Sequence, residues 1–274
     1  VFHFLPEMQE SILGVIDLPL RKAPDGLRGL PFAKGMPSMV GYVFVTGLVL
    51  FPFGFFSASV KEQGFESNLP LESMYLVSLA ILVLSLFLLY FYRDPQRTIE
   101  SGIVSPADGL VQRAEIKKGM VYFSIFMNVH NVHVNRSPFD GRVISIKHKS
   151  GGYLPAFSKD SDKNERLLTK IETSIGMMKV IQIAGVLVRR IVSYVKPNYE
   201  VAKGERIGLI HFGSRVDLSF ESAGIDFCVK KGDKVLAGQK LASYTPLSSL
   251  STSEKIFEVP KRMFSKLQAS QSED

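Results

Sequence analysis

The chain has 274 residues, 46% of them apolar, with one Cys and no Trp, which is too apolar for disorder and too poor in Cys for a disulfide scaffold. Lys and Arg outnumber Asp and Glu by 33 to 26, a surplus that at first suggests nucleic acid. It is unevenly placed: residues 1–92 hold 5 basic and 7 acidic side chains (net −2), leaving 28 and 19 (net +9) for residues 93–274.

In chain order, residues 1–38 read as a cytoplasmic N-terminal segment. The opening Val1 in place of Met fits a trimmed or partial chain, and no secretory cleavage pattern follows the first apolar run. From Gly35 to Val60 there is no charge, and Val40–Val60 is long enough to cross about 30 Å of hydrocarbon as a helix, with Pro52 as a kink site. A second uncharged run, Ser73–Tyr92, follows. The link Lys61–Glu72 carries one Lys and three Glu, whereas Arg21, Lys22, Arg28, Lys34, Arg93 and Arg97 flank the pair. The positive-inside rule then predicts a hydrophobic α-helical hairpin over 39–92, in the cell (inner) membrane, with both ends cytoplasmic. A buried helical pair in a soluble core is the alternative.

After Arg93-Asp94-Pro95 the texture becomes short β-rich runs between Gly, Pro and Asp. Strands are predicted at 103–104, 109–116, 121–127, 132–135, 142–148, 174–184, 186–195, 206–212, 216–220 and 240–244, with one possible helical turn near Lys255–Leu267. Residues 93–274 therefore read as a β-dominated (all-β or α+β) domain. Two segments, Val201–Gly208 and Val229–Gly238, each place a Lys-Gly-acid turn before a β-branched residue, as in lipoyl-type hairpins. On that pattern Asp233-Lys234-Val235 resembles a lipoyl-lysine site, against the plainer reading of Lys234 as a solvated turn residue.

Three clusters could carry chemistry. Ser105-Pro106-Ala107-Asp108-Gly109 puts a carboxylate in a turn before a strand, although Asp-Gly is also ordinary turn chemistry. In the run from Phe126 to Pro138, an extended Val132–Asn135 puts His133 on one face with Asn131 and Asn135, and that register turns His130 to the apolar side. No Cys or carboxylate lies at ligand spacing, so no metal is expected. The third cluster, Gly208 to Asp217, delivers a Gly213-Ser214 peptide at the end of an apolar run, which alone reads as a bulge or turn. Were that bend strained, the Ser214 hydroxyl could attack the Gly213 carbonyl, and elimination and hydrolysis would leave a pyruvoyl group able to form a Schiff base.

Taken together, Arg93-Asp94-Pro95, Ser105–Gly109, Val132–Pro138, Gly151-Gly152-Tyr153, Phe212–Arg215 and Lys231-Gly232-Asp233 resemble the phosphatidylserine decarboxylase proenzymes, and the Gly-Ser-Arg junction resembles their compact bacterial and archaeal branch. The resemblance implies self-cleavage between Gly213 and Ser214 into a β chain, 1–213, and an α chain, 214–274. It implies that Ser214 becomes the pyruvoyl cofactor, that His133 is the base for its hydroxyl, and that Asp108 orients His133. It further implies phosphatidylserine as membrane partner and substrate, phosphatidylethanolamine as product, and no metal. The basic surplus then reads as attraction to an anionic leaflet rather than to nucleic acid. The role of His130 stays open, as does homodimer formation; Arg136, Arg142 and Lys147 are candidate phosphate partners. Two rivals remain, a membrane-tethered lipoyl-like adaptor without activity and a pyruvoyl decarboxylase of a soluble amino acid.

Overall fold

The structure, a computed structural model, describes residues 32–34, 36–62, 71–152, 164–185, 190–211, 214–221 and 224–245, without the side chains of 53–54, 57–62 and 71–74. The chain divides into two units, Val1–Pro31 and Phe32–Asp274, and every described residue belongs to the second. The predicted N-terminal segment up to residue 31, Phe212, Gly213, Tyr153 and the turn near Lys255–Leu267 lie outside the described residues.

Among the described residues two helices lead, α1 (Ser38–Glu62) and α2 (Leu71–Phe91). They run antiparallel, since Gly47 lies against Leu82 while Phe51 and Phe55, further along α1, meet Tyr75 near the start of α2. Glycine at 47 permits the approach, because a Cβ there would sit 3.1 Å from the Leu82 backbone. Among the described residues no helix is long and apolar enough to cross a membrane; the continuous stretches with described side chains are 38–52 and 75–91.

Among the described residues fourteen strands follow, in three antiparallel sheets. The largest has eight strands in the order β13 (Lys234–Val235), β2 (Gly109–Lys117), β3 (Met120–Met127), β11 (Ser214–Glu221), β7 (Gly176–Ile183), β6 (Arg166–Thr173), β5 (Gly141–Lys149) and β9 (Glu200–Val201). The other two join β1 (Ile103–Val104), β14 (Lys240–Tyr244) and β12 (Ile225–Phe227), and β4 (Val134–Arg136), β10 (Arg206–Ile210) and β8 (Ile191–Ser193). Strand β11 is central because its alternate residues Val216, Leu218 and Phe220 are apolar and pair in register with Ile125, Phe123 and Val121 of β3, all fully buried.

The two Lys-Gly-acid segments differ from the expected hairpins. Their arms do not pair with each other: β9 pairs with β5 while β10 pairs with β4 and β8, and β12 pairs with β14 while β13 pairs with β2. Each segment is a tight turn that passes the chain between sheets. In both, the acid caps an amide three residues back, Glu205 the Ala202 N–H and Asp233 the Lys230 N–H, at 2.8 and 2.9 Å. Lys234 accordingly sits within a strand opposite Leu110, away from any hairpin tip.

A second apolar cluster joins the helices to the sheets: Phe91 and Tyr92 pack with Ala33, Val40, Val132, Val134 and Leu209. Arg93 ends α2 by donating to the Tyr90 carbonyl at 2.7 Å and reaching the His130 carbonyl at 2.5 Å, as cationic side chains do for the orphan carbonyls of a helix C-terminus. The helix end thereby holds the loop that precedes β4.

Candidate active site

Ser214 opens β11 on the same face as Val216, Leu218 and Phe220, so the alternation that builds the core also turns its hydroxyl inward, opposite Met127 of β3. The side chain is fully buried, and among the described residues its Oγ has no hydrogen-bond partner. Beside it, Asn135 donates to the Met127 sulfur at 3.6 Å and accepts from Gln182 Nε2 at 2.8 Å, so polar side chains floor this end of the strand.

His133 lies just before β4, its carbonyl accepting the Ile210 N–H at 3.2 Å. Its Nδ1 is 2.9 Å from the Asn131 carbonyl oxygen. A carbonyl only accepts, so Nδ1 carries the proton, and the neutral ring keeps its lone pair on Nε2. That Nε2 is buried without a partner among the described residues. Burial pushes the imidazole down from 6.5 to about 4; the Asn131 carbonyl opposes the shift, and the charges of Arg93, His211 and His130 add to it. At neutral pH the ring is therefore an uncharged base.

Asp108 is not hydrogen-bonded to His133 in this structure. One carboxylate oxygen pairs with Arg97, and the other accepts the Ala237 N–H at 2.8 Å. Gly109 follows it because a Cβ there would collide with the Phe126 carbonyl oxygen, so the turn lies tight against β3. The orienting contact on His133 Nδ1 is thus the Asn131 carbonyl.

His130 also differs from its expected place. Residues 128–131 form a turn, with the Asn131 N–H on the Asn128 carbonyl and the Asn128 N–H on the Asn131 side chain, both at 2.9 Å. The strand alternation therefore stops before His130, which is exposed. It lines a cavity of about 180 Å³ together with Asn128, Asn131, Lys234, Gly109 and Leu110. Of the candidate phosphate partners, Arg136 is buried and committed to Asp94 and the Gly204 and Pro95 carbonyls, and Arg142 pairs with Glu200. Asp94 also binds Arg206, so the segment after α2 is locked to β4 and β10.

Two residues of this region were not singled out from the sequence. His211, at the end of β10, is 2% exposed, and its Nδ1 lies 2.7 Å from the Tyr92 hydroxyl. Its Nε2 too is buried without a partner among the described residues. Burial, then the Arg190 charge, lowers this imidazole to about 4. The available signal was a lone polar residue inside the apolar run Gly208–Phe212. Among the described residues no cluster of three His, Cys, Asp or Glu is placed to hold a metal.

The model of the phosphatidylserine decarboxylase family matches residues 84–243, a span that contains Asp108, His133, His211 and Ser214. The chain belongs to the phosphatidylserine decarboxylase family. It is 48% identical over 153 residues to a phosphatidylserine decarboxylase proenzyme of Streptomyces avermitilis, covering 55% of this chain and 71% of that one. A phosphatidylserine decarboxylase proenzyme of Thermobifida fusca is 46% identical over 165 residues, 60% of this chain and 76% of its own. A Methanococcoides burtonii protein named as an archaetidylserine decarboxylase proenzyme is 50% identical over 161 residues, 58% and 75% of the two chains. Membership makes the chain a decarboxylase and decides against the non-enzymatic adaptor. The family match begins inside α2, so the helix end that carries Phe91 and Tyr92 is part of it.

Proposed function

We propose that the chain is a precursor that cleaves itself between Gly213 and Ser214 and, once mature, converts phosphatidylserine to phosphatidylethanolamine and carbon dioxide. The observation that carries this reading is a buried serine hydroxyl and a buried imidazole Nε2, both without partners among the described residues, in the segment that the family match covers. Ser214 Oγ attacks the Gly213 carbonyl carbon while its proton passes to His133 Nε2. The C–N bond then breaks, the Ser214 nitrogen takes that proton back, and an ester replaces the peptide. Loss of the Ser214 α-proton with departure of the Gly213 carboxylate leaves dehydroalanine, and water then displaces ammonia. The resulting pyruvoyl group supplies a ketone electron sink for decarboxylating an amine-bearing substrate.

The residues fit that group. A hydroxyl hydrogen-bonded elsewhere would have to break that bond before attacking, and this one is bound to nothing described. His133 is held as a neutral base by Asn131 and by burial. Asp108 contributes by position: held by Arg97, it accepts the Ala237 N–H and so ties the future α chain, 214–274, to the future β chain, 1–213.

The membrane completes the proposal. Large apolar side chains lie exposed along both helices, among them Tyr42, Val49, Phe56, Leu76, Val83 and Phe87, a patch of the kind that marks a membrane-facing surface. A helical hairpin in the cell membrane, with the body on the cytoplasmic side, would bring the enzyme to a lipid that leaves the bilayer only at about 0.8 kcal/mol per CH2. Intact-mass analysis of the purified chain beside Ser214→Ala tests the reading. Two fragments, 1–213 and 214–274, the smaller without a free N-terminal amine, are expected from the wild type, and one 30.5 kDa chain from the variant. A wild type that stays whole would overturn it.

A further inference from the structure

The aromatic end of α2 touches both buried imidazoles. The Phe91 ring lies 4.3 Å from that of His133, and the Tyr92 ring 5.5 Å from that of His211, between centroids. The two imidazoles are held through opposite kinds of partner. His133 Nδ1 faces a carbonyl, which only accepts; His211 Nδ1 faces a phenol hydroxyl, which can donate. A hydroxyl donating to Nδ1 puts the ring proton on Nε2. His133 is then a bare acceptor at Nε2, and His211 is a bare donor in the tautomer that accepts from Tyr92.

We propose that His211, set in its Nε2–H tautomer by the positioning residue Tyr92, is a second catalytic imidazole of the self-cleavage step, donating a hydrogen bond to the oxyanion that forms when Ser214 attacks the preceding carbonyl. The inference rests on the self-cleavage reading above. Three observations on this chain support it. His211 stands three residues before Ser214, at the end of the strand that leads into the junction. Its Nε2 is buried with no hydrogen-bond partner among the described residues. A donor that finds its acceptor only when charge develops stabilises the transition state and not the reactant. Burial and Arg190 keep the ring neutral, so it offers a hydrogen bond without competing for the serine proton. In the step itself the Ser214 Oγ–C bond forms, the carbonyl electron pair moves to oxygen, which accepts the proposed hydrogen bond from His211 Nε2–H, and the serine proton goes to His133. Collapse returns that pair, breaks the C–N bond and delivers the proton to nitrogen.

The test follows cleavage of freshly synthesised full-length chain by intact mass for wild type, Ser214→Ala, His211→Leu, His211→Gln and Tyr92→Phe, with an unfolding midpoint for each. His211→Leu is expected to cleave about 10²-fold more slowly, the scale of losing one oxyanion donor. His211→Gln, which keeps an N–H, is expected to recover most of that rate, and Tyr92→Phe to fall between. Nitrogen-15 NMR of the uncut Ser214→Ala chain supplies a readout that does not depend on folding of the His211 variants: the proton is expected on Nδ1 of His133 and on Nε2 of His211. Wild-type cleavage by His211→Leu, equal slowing in the Leu and Gln variants at equal stability, or a His211 proton on Nδ1 would each overturn the inference while leaving self-cleavage standing. An uncut wild type would remove both.

Discussion

The chemistry of the site turns on which ring nitrogen carries a proton, and that is decided one contact at a time. The Asn131 carbonyl can only accept, so it assigns His133 its proton at Nδ1 and leaves Nε2 as a base. Burial then keeps both His133 and His211 neutral, with values near 4 against 6.5 in an unfolded chain. The sign of the pH effect follows. Between about 6.5 and about 4 the unfolded chain binds protons at these rings and the folded chain does not, so stability is fully present above 6.5 and is lost as pH falls through that window. For His133 the loss is on the order of 3 kcal/mol. Unfolding midpoints of the Ser214→Ala chain are therefore expected to drop from pH 7 to pH 4.5, with a shallower slope in a Ser214→Ala, His133→Gln double variant. Cleavage of the wild type, whose imidazoles at 133 and 211 both stay neutral, is expected to persist at pH 5.5, where a solvated imidazole would be mostly charged.

At the scale of elements, the end of α2 works as a structural wedge. Phe91 is fully buried, packed edge-on to Tyr92 at 5.0 Å and against His133, whereas Leu84, two turns earlier, is 51% exposed. Phe91→Ala is expected to cost about 3–5 kcal/mol in chemical denaturation, a cavity-forming loss, and Leu84→Ala less than about 0.5 kcal/mol in micelles. Strands with their own apolar alternation were legible in the sequence: β2, β3, β5 and β7 stand within a few residues of their predicted bounds. The strands β9, β12 and β13 span two or three residues; so short a run carries no period, and its pairing is set by partners far along the chain. Strand β6 escaped for another reason, since its outward residues Arg166, Lys170 and Glu172 make the run read as polar. The runs that contain Asp108, His133 and Ser214 stand out in the sequence because each is local, and the roles expected of those residues come from the family resemblance. The Tyr92–His211 contact was not legible, because it joins residues 119 positions apart, and neither was the Ala237 N–H on Asp108, which joins residues 129 positions apart.

For the whole molecule, the proposed membrane placement gives the division of charge at residue 92 and the exposed apolar faces of the helices different properties to act on. Apolar attachment is insensitive to salt, whereas attraction of the net +9 body to an anionic leaflet acts over the Debye length, about 10 Å at 0.1 M salt and about 3 Å at 1 M. Each Lys or Arg near the surface contributes about 1 kcal/mol at moderate salt. Full-length protein reconstituted into vesicles with and without added anionic lipid separates the two. The protein is expected to stay with the vesicles at both salt concentrations and in both compositions, held by its helices. Its apparent KM for phosphatidylserine is expected to rise severalfold between 0.1 and 1 M salt on anionic vesicles, with kcat little changed, because screening weakens the approach of the body to the headgroup layer and leaves the buried chemistry untouched. On vesicles whose only anionic lipid is the substrate the rise should be smaller, and release of the protein by salt alone would show that charge, rather than the apolar hairpin, is what holds it.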